Sequence, residues 1–136
     1  MKEWLIPVLG TFVFWGLWEF IPKLTMRTIS PFSAMFFEAI GGLIVAVIAL
    51  AVFGSRLELS RQGVFLALAT GVFGILGAWT YLHGVSMGKV SLVVSFTALY
   101  PILSIVLAIM LLGETLTGRQ GVGILLALVS MVLIAG

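Results

Sequence analysis

Long apolar stretches alternate with short polar segments along the whole chain. Each apolar stretch runs for about 20 residues, the length that a helix needs to cross the hydrocarbon core of a bilayer. The strands of a membrane β-barrel would instead alternate between apolar and polar residues. Charges and turn residues therefore divide the chain into five predicted helices, at about residues 4–22, 32–53, 63–86, 90–113 and 120–136.

The segments that connect these helices are short. They run over Lys23–Pro31, Gly54–Gln62, Ser86–Lys89 and Glu114–Arg119. None could hold a separate domain, so we expect a single transmembrane domain over residues 1–136. A cleaved signal peptide is a poor interpretation of the first helix, because Glu19, Pro22 and Lys23 occupy the place of a small-residue cleavage site.

Composition agrees with a membrane protein and excludes several function classes. Of the 136 residues, 62% are hydrophobic and 9% are charged, whereas soluble domains carry about a quarter charged residues. Seven basic residues are too few for a nucleic-acid-binding surface. The chain has no cysteine and one histidine, so thiol chemistry and a histidine-built metal centre are not expected. We expect no cofactor, no metal and no nucleic-acid partner.

The basic residues give little instruction about orientation in the membrane. Five spans put the two ends of the chain on opposite sides, and Lys/Arg bias in short loops fixes which side is which. One side would carry Lys2, Arg56, Arg61 and Arg119, and the other Lys23, Arg27 and Lys89. Two interpretations stay open: one orientation set by a weak bias or by a partner, and dual topology with antiparallel pairing.

Several short motifs, taken in order, resemble one known family. Trp15-Gly16 is followed by Lys23 near the end of the first helix, and SFTALYP occupies residues 95–101 of the fourth. LLGE at residues 111–114 and GVGI at residues 121–124 complete the series. Together they resemble the EamA-type domains of the drug/metabolite transporter superfamily, and the resemblance covers nearly the whole chain.

The resemblance implies a fold and an architecture. Most members resemble two five-helix halves fused in inverted orientation, and this chain resembles one half, as in the five-helix bacterial and archaeal transporter branch. The implied fold is an all-α, five-helix membrane bundle, and the implied location is a prokaryotic inner membrane. Since inverted repeats recur in transporters, the resemblance favours an antiparallel homodimer over pairing with a sister subunit. Glu38 stands where many full-length members have an Arg, so their substrates are not carried over.

Two carboxylates lie within the predicted spans at comparable depth. An ionised side chain at the bilayer centre costs about 2.5–3.5 kcal/mol on insertion scales, so such groups usually have a function or a partner. Glu19 shares a helix face with Trp15 and Trp18, whose rings could contact an organic cation. A structural ion pair with Lys23, or a side chain that reaches to the interface, is the alternative for Glu19.

Glu38 lies on a face of small residues. That face lets another helix approach closely, so the carboxylate should point into a bundle; its members are Ala34, Gly41, Gly42 and Ala49. One interpretation is a proton or cation site. The alternative is a hydrogen bond that ties two helices together.

The third and fifth helices carry small residues at packing positions. On the third helix these residues form one face with Tyr81, whose hydroxyl could face a cavity; they are Thr70, Gly74, Gly77, Gly84 and Gly88. On the fifth helix Gly123 and Ala127 suit either a dimer interface or packing within one subunit. His83 fits an interface residue better than a proton relay.

The fourth helix aligns three hydroxyls, those of Thr97, Tyr100 and Ser104, beside Pro101. Proline removes a backbone donor and clashes with the carbonyl four residues back, so a kink is expected there. A kink beside aligned hydroxyls could open a polar substrate site at mid-membrane. A bent packing helix whose hydroxyls bond to its own backbone is the alternative.

These observations predict a transporter. The chain should move small metabolites or hydrophobic cations by alternating access, as a dimer in the lipid bilayer. A non-transporting membrane subunit of a larger complex is the alternative. An intramembrane enzyme is disfavoured, because no Ser–His–Asp set, HExxH sequence or phosphate-binding loop appears.

Overall fold

A computed structural model describes residues 5–54 and 57–135 of the chain. The described residues form helices and turns and contain no strand. The helices are α1 (Leu5–Thr25), α2 (Pro31–Phe53), α3 (Arg61–Met87), α4 (Val90–Thr97), α5 (Tyr100–Leu112) and α6 (Gly118–Ala135). The predicted all-α fold is confirmed.

Four stretches of the described chain are long and apolar enough to cross a membrane. They are α1, α2, α3 and the continuous stretch Val90–Leu112, which contains both α4 and α5. A shorter apolar stretch, Gly118–Ser130, lies in α6. With its 27 residues α3 is about 40 Å long, more than the roughly 30 Å of a hydrocarbon core, so it must tilt or extend beyond it.

The chain divides after Met87 into two compact units, Met1–Met87 and Gly88–Gly136. In the first unit α3 packs against both α1 and α2. In the second unit α4 packs against α6. The expectation of one domain over residues 1–136 stays a prediction, because each unit is compact by itself.

The buried residues of the first unit lie mainly on the second half of α3. Ala78, Tyr81, Leu82 and Val85 recur at the spacing of one helix face and are buried. On α1 the buried residue is Pro22, near the end of the helix. Hydrogen bonds from Tyr81 to Glu19 and from Lys23 to Val85 join the end of α1 to the end of α3, and their order shows that the two helices run in the same direction.

Local sequence signals fix the ends of α2. Ser30 is the N-cap, and its hydroxyl oxygen accepts a hydrogen bond from the Ser33 N–H at 3.3 Å. Pro31 follows at the first helical position, where its missing N–H costs nothing. Gly54 ends the helix with a φ of 89°, a conformation that a residue with a Cβ rarely adopts.

The fourth predicted span is interrupted in the structure. Helix α4 ends at Thr97, Ala98 and Leu99 form a turn, and α5 begins at Tyr100. Pro101 has no N–H to donate to the Thr97 carbonyl, which removes one helical hydrogen bond at this point. Bonds of i to i+3 type replace the regular pattern, and the Ile102 N–H donates to the Leu99 carbonyl at 3.1 Å. The interruption at Ala98 and Leu99 lies within one helical turn before Pro101.

Lys23 of α1 caps the end of α3. The last carbonyls of a helix have no intrahelical N–H partner, and the helix dipole favours a cation beside them. The Lys23 ammonium donates a hydrogen bond to the Val85 carbonyl at 2.7 Å, two residues before α3 ends at Met87. Two separate helices are thus joined by a charge-assisted bond.

We predict that K23M destabilises the fold by roughly 1.5–3 kcal/mol, since a hydrogen bond from a charged group is lost. Thermal unfolding of the purified protein in detergent, followed by circular dichroism, measures the change. K89M is the matched control, because the Lys89 side chain makes no cap hydrogen bond at the start of α4. Equal unfolding midpoints for K23M and K89M would contradict the capping role.

Candidate functional site

Two reciprocal hydrogen bonds join α1 and α3 at the ends of these helices. The Tyr81 hydroxyl donates to the Glu19 carbonyl at 2.6 Å, and the Lys23 ammonium donates to the Val85 carbonyl at 2.7 Å. Both pairs are 62 residues apart, and on each helix the two positions are one turn apart. Helices α1 and α3 are therefore held in a fixed register.

An aromatic stack reinforces this junction. The rings of Trp18 and Tyr81 lie 5.5 Å apart, centroid to centroid, at an angle of 26°. Such a pair contributes about 0.5–1.5 kcal/mol beyond the area that it buries. Pro22 follows Trp18 by four residues and has no N–H, so the Trp18 carbonyl lacks its usual intrahelical donor. The sequence did not predict this stack, although Pro22 marks the place where the surface of α1 is irregular.

The structure places the Tyr81 hydroxyl against the main chain of Glu19. The Glu19 side chain itself is half-buried, and Trp15 is exposed on α1. One face of the Trp18 ring stacks on the ring of Tyr81 in α3. The proposed role of Glu19, Trp15 and Trp18 in binding a cation stays a prediction.

Glu38 occupies a different environment, in a groove between α2 and α3. The groove has a volume of about 580 Å³. Glu38 is half-buried, and its Oε2 atom is buried without a hydrogen-bond partner among the described residues. The other lining residues are Ala39, Gly42, Ala67, Leu68, Gly71, Val72, Ile75 and Leu76. Glu38 is thus a single polar side chain in an otherwise aliphatic surface.

Small residues keep this groove open. A Cβ atom added at Gly42 or Gly71 would meet no atom within 4 Å. Ala39 and Ala67 contribute one methyl group each to the lining. The small-residue face predicted around Glu38 is divided: Ala34 is buried, whereas a Cβ at Gly41 or Gly42 would meet no atom within 4 Å.

The predicted glycine face of α3 is divided between two environments. Gly74 and Gly77 are exposed, and a Cβ at either would meet nothing within 4 Å. Gly84 and Gly88 are half-buried, in the part of the face that includes Tyr81. The Thr70 hydroxyl donates to the Leu66 carbonyl of its own helix at 3.0 Å.

His83 is exposed and stays close to its own helix. Its ring makes an edge-to-face contact with the Trp79 ring, with centroids 5.5 Å apart. The Nδ1 atom lies 3.2 Å from the Trp79 carbonyl oxygen. Among the described residues, no group of three or more His, Cys, Asp or Glu side chains could hold a metal ion.

In the second unit, the predicted polar residues flank the turn between α4 and α5. The Thr97 hydroxyl donates to the Val93 carbonyl of its own helix at 2.7 Å, the bond that the packing alternative expects. Tyr100 and Ser104 are exposed on α5. Gly123 and Ala127 are exposed on α6, and a Cβ at Gly123 would meet no atom within 4 Å.

Comparison with known proteins identifies the family. The model of the EamA-like transporter family matches residues 2–136, almost the whole chain. The chain belongs to the EamA-like transporter family. The resemblance found in the sequence motifs is thereby confirmed. No solved structure matches the chain.

Two archaeal relatives of this EamA-like chain differ in length. One is an uncharacterized protein of Methanocaldococcus jannaschii, 26% identical over 123 residues, with 90% of this chain and 89% of the relative covered. The other is an uncharacterized transporter of Archaeoglobus fulgidus, 32% identical over 140 residues. That match covers 99% of this chain and 48% of the relative, so the chain spans about half the length of the second protein.

Family membership and the apolar helices together make this chain a multi-pass membrane protein of a transporter family. The family points to transport and not to catalysis.

We predict that Y81F loses about 0.5–1.5 kcal/mol of stability, since the hydrogen bond to the Glu19 carbonyl is removed while the ring remains. Y81L should lose more, because the stack with Trp18 disappears as well. Thermal unfolding in detergent measures both changes, and the difference between the two variants isolates the ring contact. A Y81F variant as stable as the wild type would show that the bond does not hold α1 and α3 together.

Proposed function

We propose that this EamA-family protein is a secondary transporter of small metabolites or hydrophobic, cationic compounds, and that it works as a dimer by alternating access. The observation that carries the proposal is Glu38, a carboxylate within a membrane span that has a buried oxygen without a hydrogen-bond partner. An ionisable group inside the membrane is by default a candidate functional site, because its desolvation is costly.

The lengths of the relatives support the dimer. The Archaeoglobus protein carries the name of a transporter and is about twice as long as the part that this chain matches, whereas the Methanocaldococcus protein is of similar length to this chain. Two copies in opposite orientations would supply the two inverted halves on which many transporters are built. A sister subunit in the opposite orientation is the alternative to a second identical copy.

Open small-residue faces also support association with another copy. Gly74 and Gly77 on α3, and Gly123 and Ala127 on α6, are exposed. Such faces let helices approach closely in lipid, where association depends on packing and not on the hydrophobic effect. We propose that these faces contribute to helix–helix contacts in the working assembly.

The interrupted fourth span is the proposed flexible element. Discontinuous helices recur at the substrate sites of transporters, because unwound backbone there can bind ligands or change shape. Thr97, Tyr100 and Ser104 flank the interruption at Ala98–Leu99 and are the proposed polar contacts of the second unit. Glu19, Trp15, Trp18 and Tyr81 are the corresponding candidates in the first unit.

We predict saturable uptake of at least one small metabolite or organic cation into liposomes that contain the purified protein. Transport by a protein saturates with substrate concentration, whereas leakage rises linearly, so initial rates over a concentration series distinguish them. Liposomes with an unrelated membrane protein at the same protein-to-lipid ratio are the control.

A different outcome would favour the non-transporting subunit. The absence of both uptake and ligand-induced thermal protection across a broad panel of compounds would contradict the transporter function. Copurification of the chain with other membrane proteins at fixed stoichiometry would then identify it as part of a larger complex.

A further inference from the structure

We propose that the groove between α2 and α3 binds small protonated amines with an apolar body, with the Glu38 carboxylate as their counter-ion. The transport of such amines rests on the function proposed above, whereas their binding does not.

The Glu38 carboxylate needs a donor that its surroundings do not supply. Its Oε2 atom is buried and has no hydrogen-bond partner among the described residues. The other residues that line the groove are alanines, glycines, leucines, valine and isoleucine, whose side chains have no N–H or O–H group. A buried acceptor without a partner is costly, and an unpaired charge more so. The donor is therefore expected from a ligand.

The same lining excludes several ligand classes. A sugar would leave most of its hydroxyl groups against aliphatic side chains, without partners. An anion would meet the charge of Glu38 and no cation in the lining. A quaternary ammonium ion has no N–H to donate and is usually held by aromatic rings, which the lining lacks. A primary or secondary ammonium supplies both the positive charge and the N–H donor.

The volume and the aliphatic lining of the groove favour a ligand with a compact hydrocarbon body. Its volume of about 580 Å³ falls in the range typical of ligand sites, roughly 300–1,000 Å³. Leu68, Val72, Ile75 and Leu76 provide aliphatic contacts along α3, and the glycines leave room for a ring or a branched chain. Glu38 lies seven residues after Pro31, the first residue of α2, which is about 10 Å along the helix axis. An apolar body lowers the cost of bringing a cation to that depth.

The probe is cyclohexylamine, which is protonated at pH 7, and the readouts are calorimetric titration and the thermal shift of the full chain in detergent. We expect saturable binding by the wild type and a loss of affinity of about tenfold to a hundredfold in E38Q, which keeps the size of the side chain and removes its charge. Cyclohexanol and tetraethylammonium should bind much more weakly than cyclohexylamine. E58Q, the same change at an exposed loop residue outside the groove, should bind like the wild type.

A second variant tests the groove without touching the carboxylate. A Cβ at Gly71 would meet no atom within 4 Å, and Gly71 lines the groove, so G71L should fold, place its side chain in the groove and lose cyclohexylamine binding. G10L makes the same change on α1, at a position outside the groove where a Cβ also meets no atom within 4 Å. G10L should bind like the wild type.

Three results would overturn the site. The first is equal affinity of the wild type and E38Q for cyclohexylamine, and the second is equal affinity of the wild type for cyclohexylamine and cyclohexanol. The third is no binding of cyclohexylamine by the wild type, which is the result expected if a second copy of the chain fills the groove. The proposed transport function fails separately: binding that depends on Glu38 without uptake of any compound into liposomes would remove the function and keep the site. Uptake of another compound without amine binding would remove the site and keep the transport function.

Discussion

The hydrocarbon core of a bilayer offers no water to satisfy backbone N–H and C=O groups, and the rest of this structure follows from that constraint. Regular helices satisfy these groups internally. Several hydroxyl side chains within the spans donate to carbonyls of their own helix, as those of Thr11, Thr70 and Ser95 do. The constraint leaves helix ends and prolines as the places where side chains can change the structure. At the end of α3 the Lys23 ammonium donates to the Val85 carbonyl. In the fourth span the helix is interrupted between Thr97 and Tyr100, just before Pro101.

The first unit consequently has two different kinds of helix contact. Helices α1 and α3 are joined by polar bonds in both directions and by the stack of Trp18 on Tyr81. Helices α2 and α3 instead border an aliphatic groove in which Glu38 keeps an oxygen without a partner. The first contact fixes a register. The second leaves a buried carboxylate oxygen of Glu38 that needs a hydrogen-bond donor, which a ligand can supply.

Much of the fold could be predicted from the sequence, because length and continuous apolar character identify membrane helices directly. The second helix, expected at residues 32–53, is found at Pro31–Phe53. The first was expected to end at residue 22 and continues to Thr25, since proline is tolerated near the end of a membrane helix when its neighbours compensate. The two acids could be singled out from the cost of burying charge. The surroundings of each acid could not be predicted, because helical periodicity says which residues share a face and not which helix that face meets.

The proposed transport mechanism requires two copies of this chain in opposite orientations, which together would supply the two inverted halves of a transporter. The most direct test is the location of the C-terminal end in intact cells, with reporters fused after Gly136 that are active on opposite sides of the membrane. Similar signals from both reporters are predicted, because five spans would divide the basic residues four against three between the two sides. A signal from one reporter alone would contradict the antiparallel homodimer.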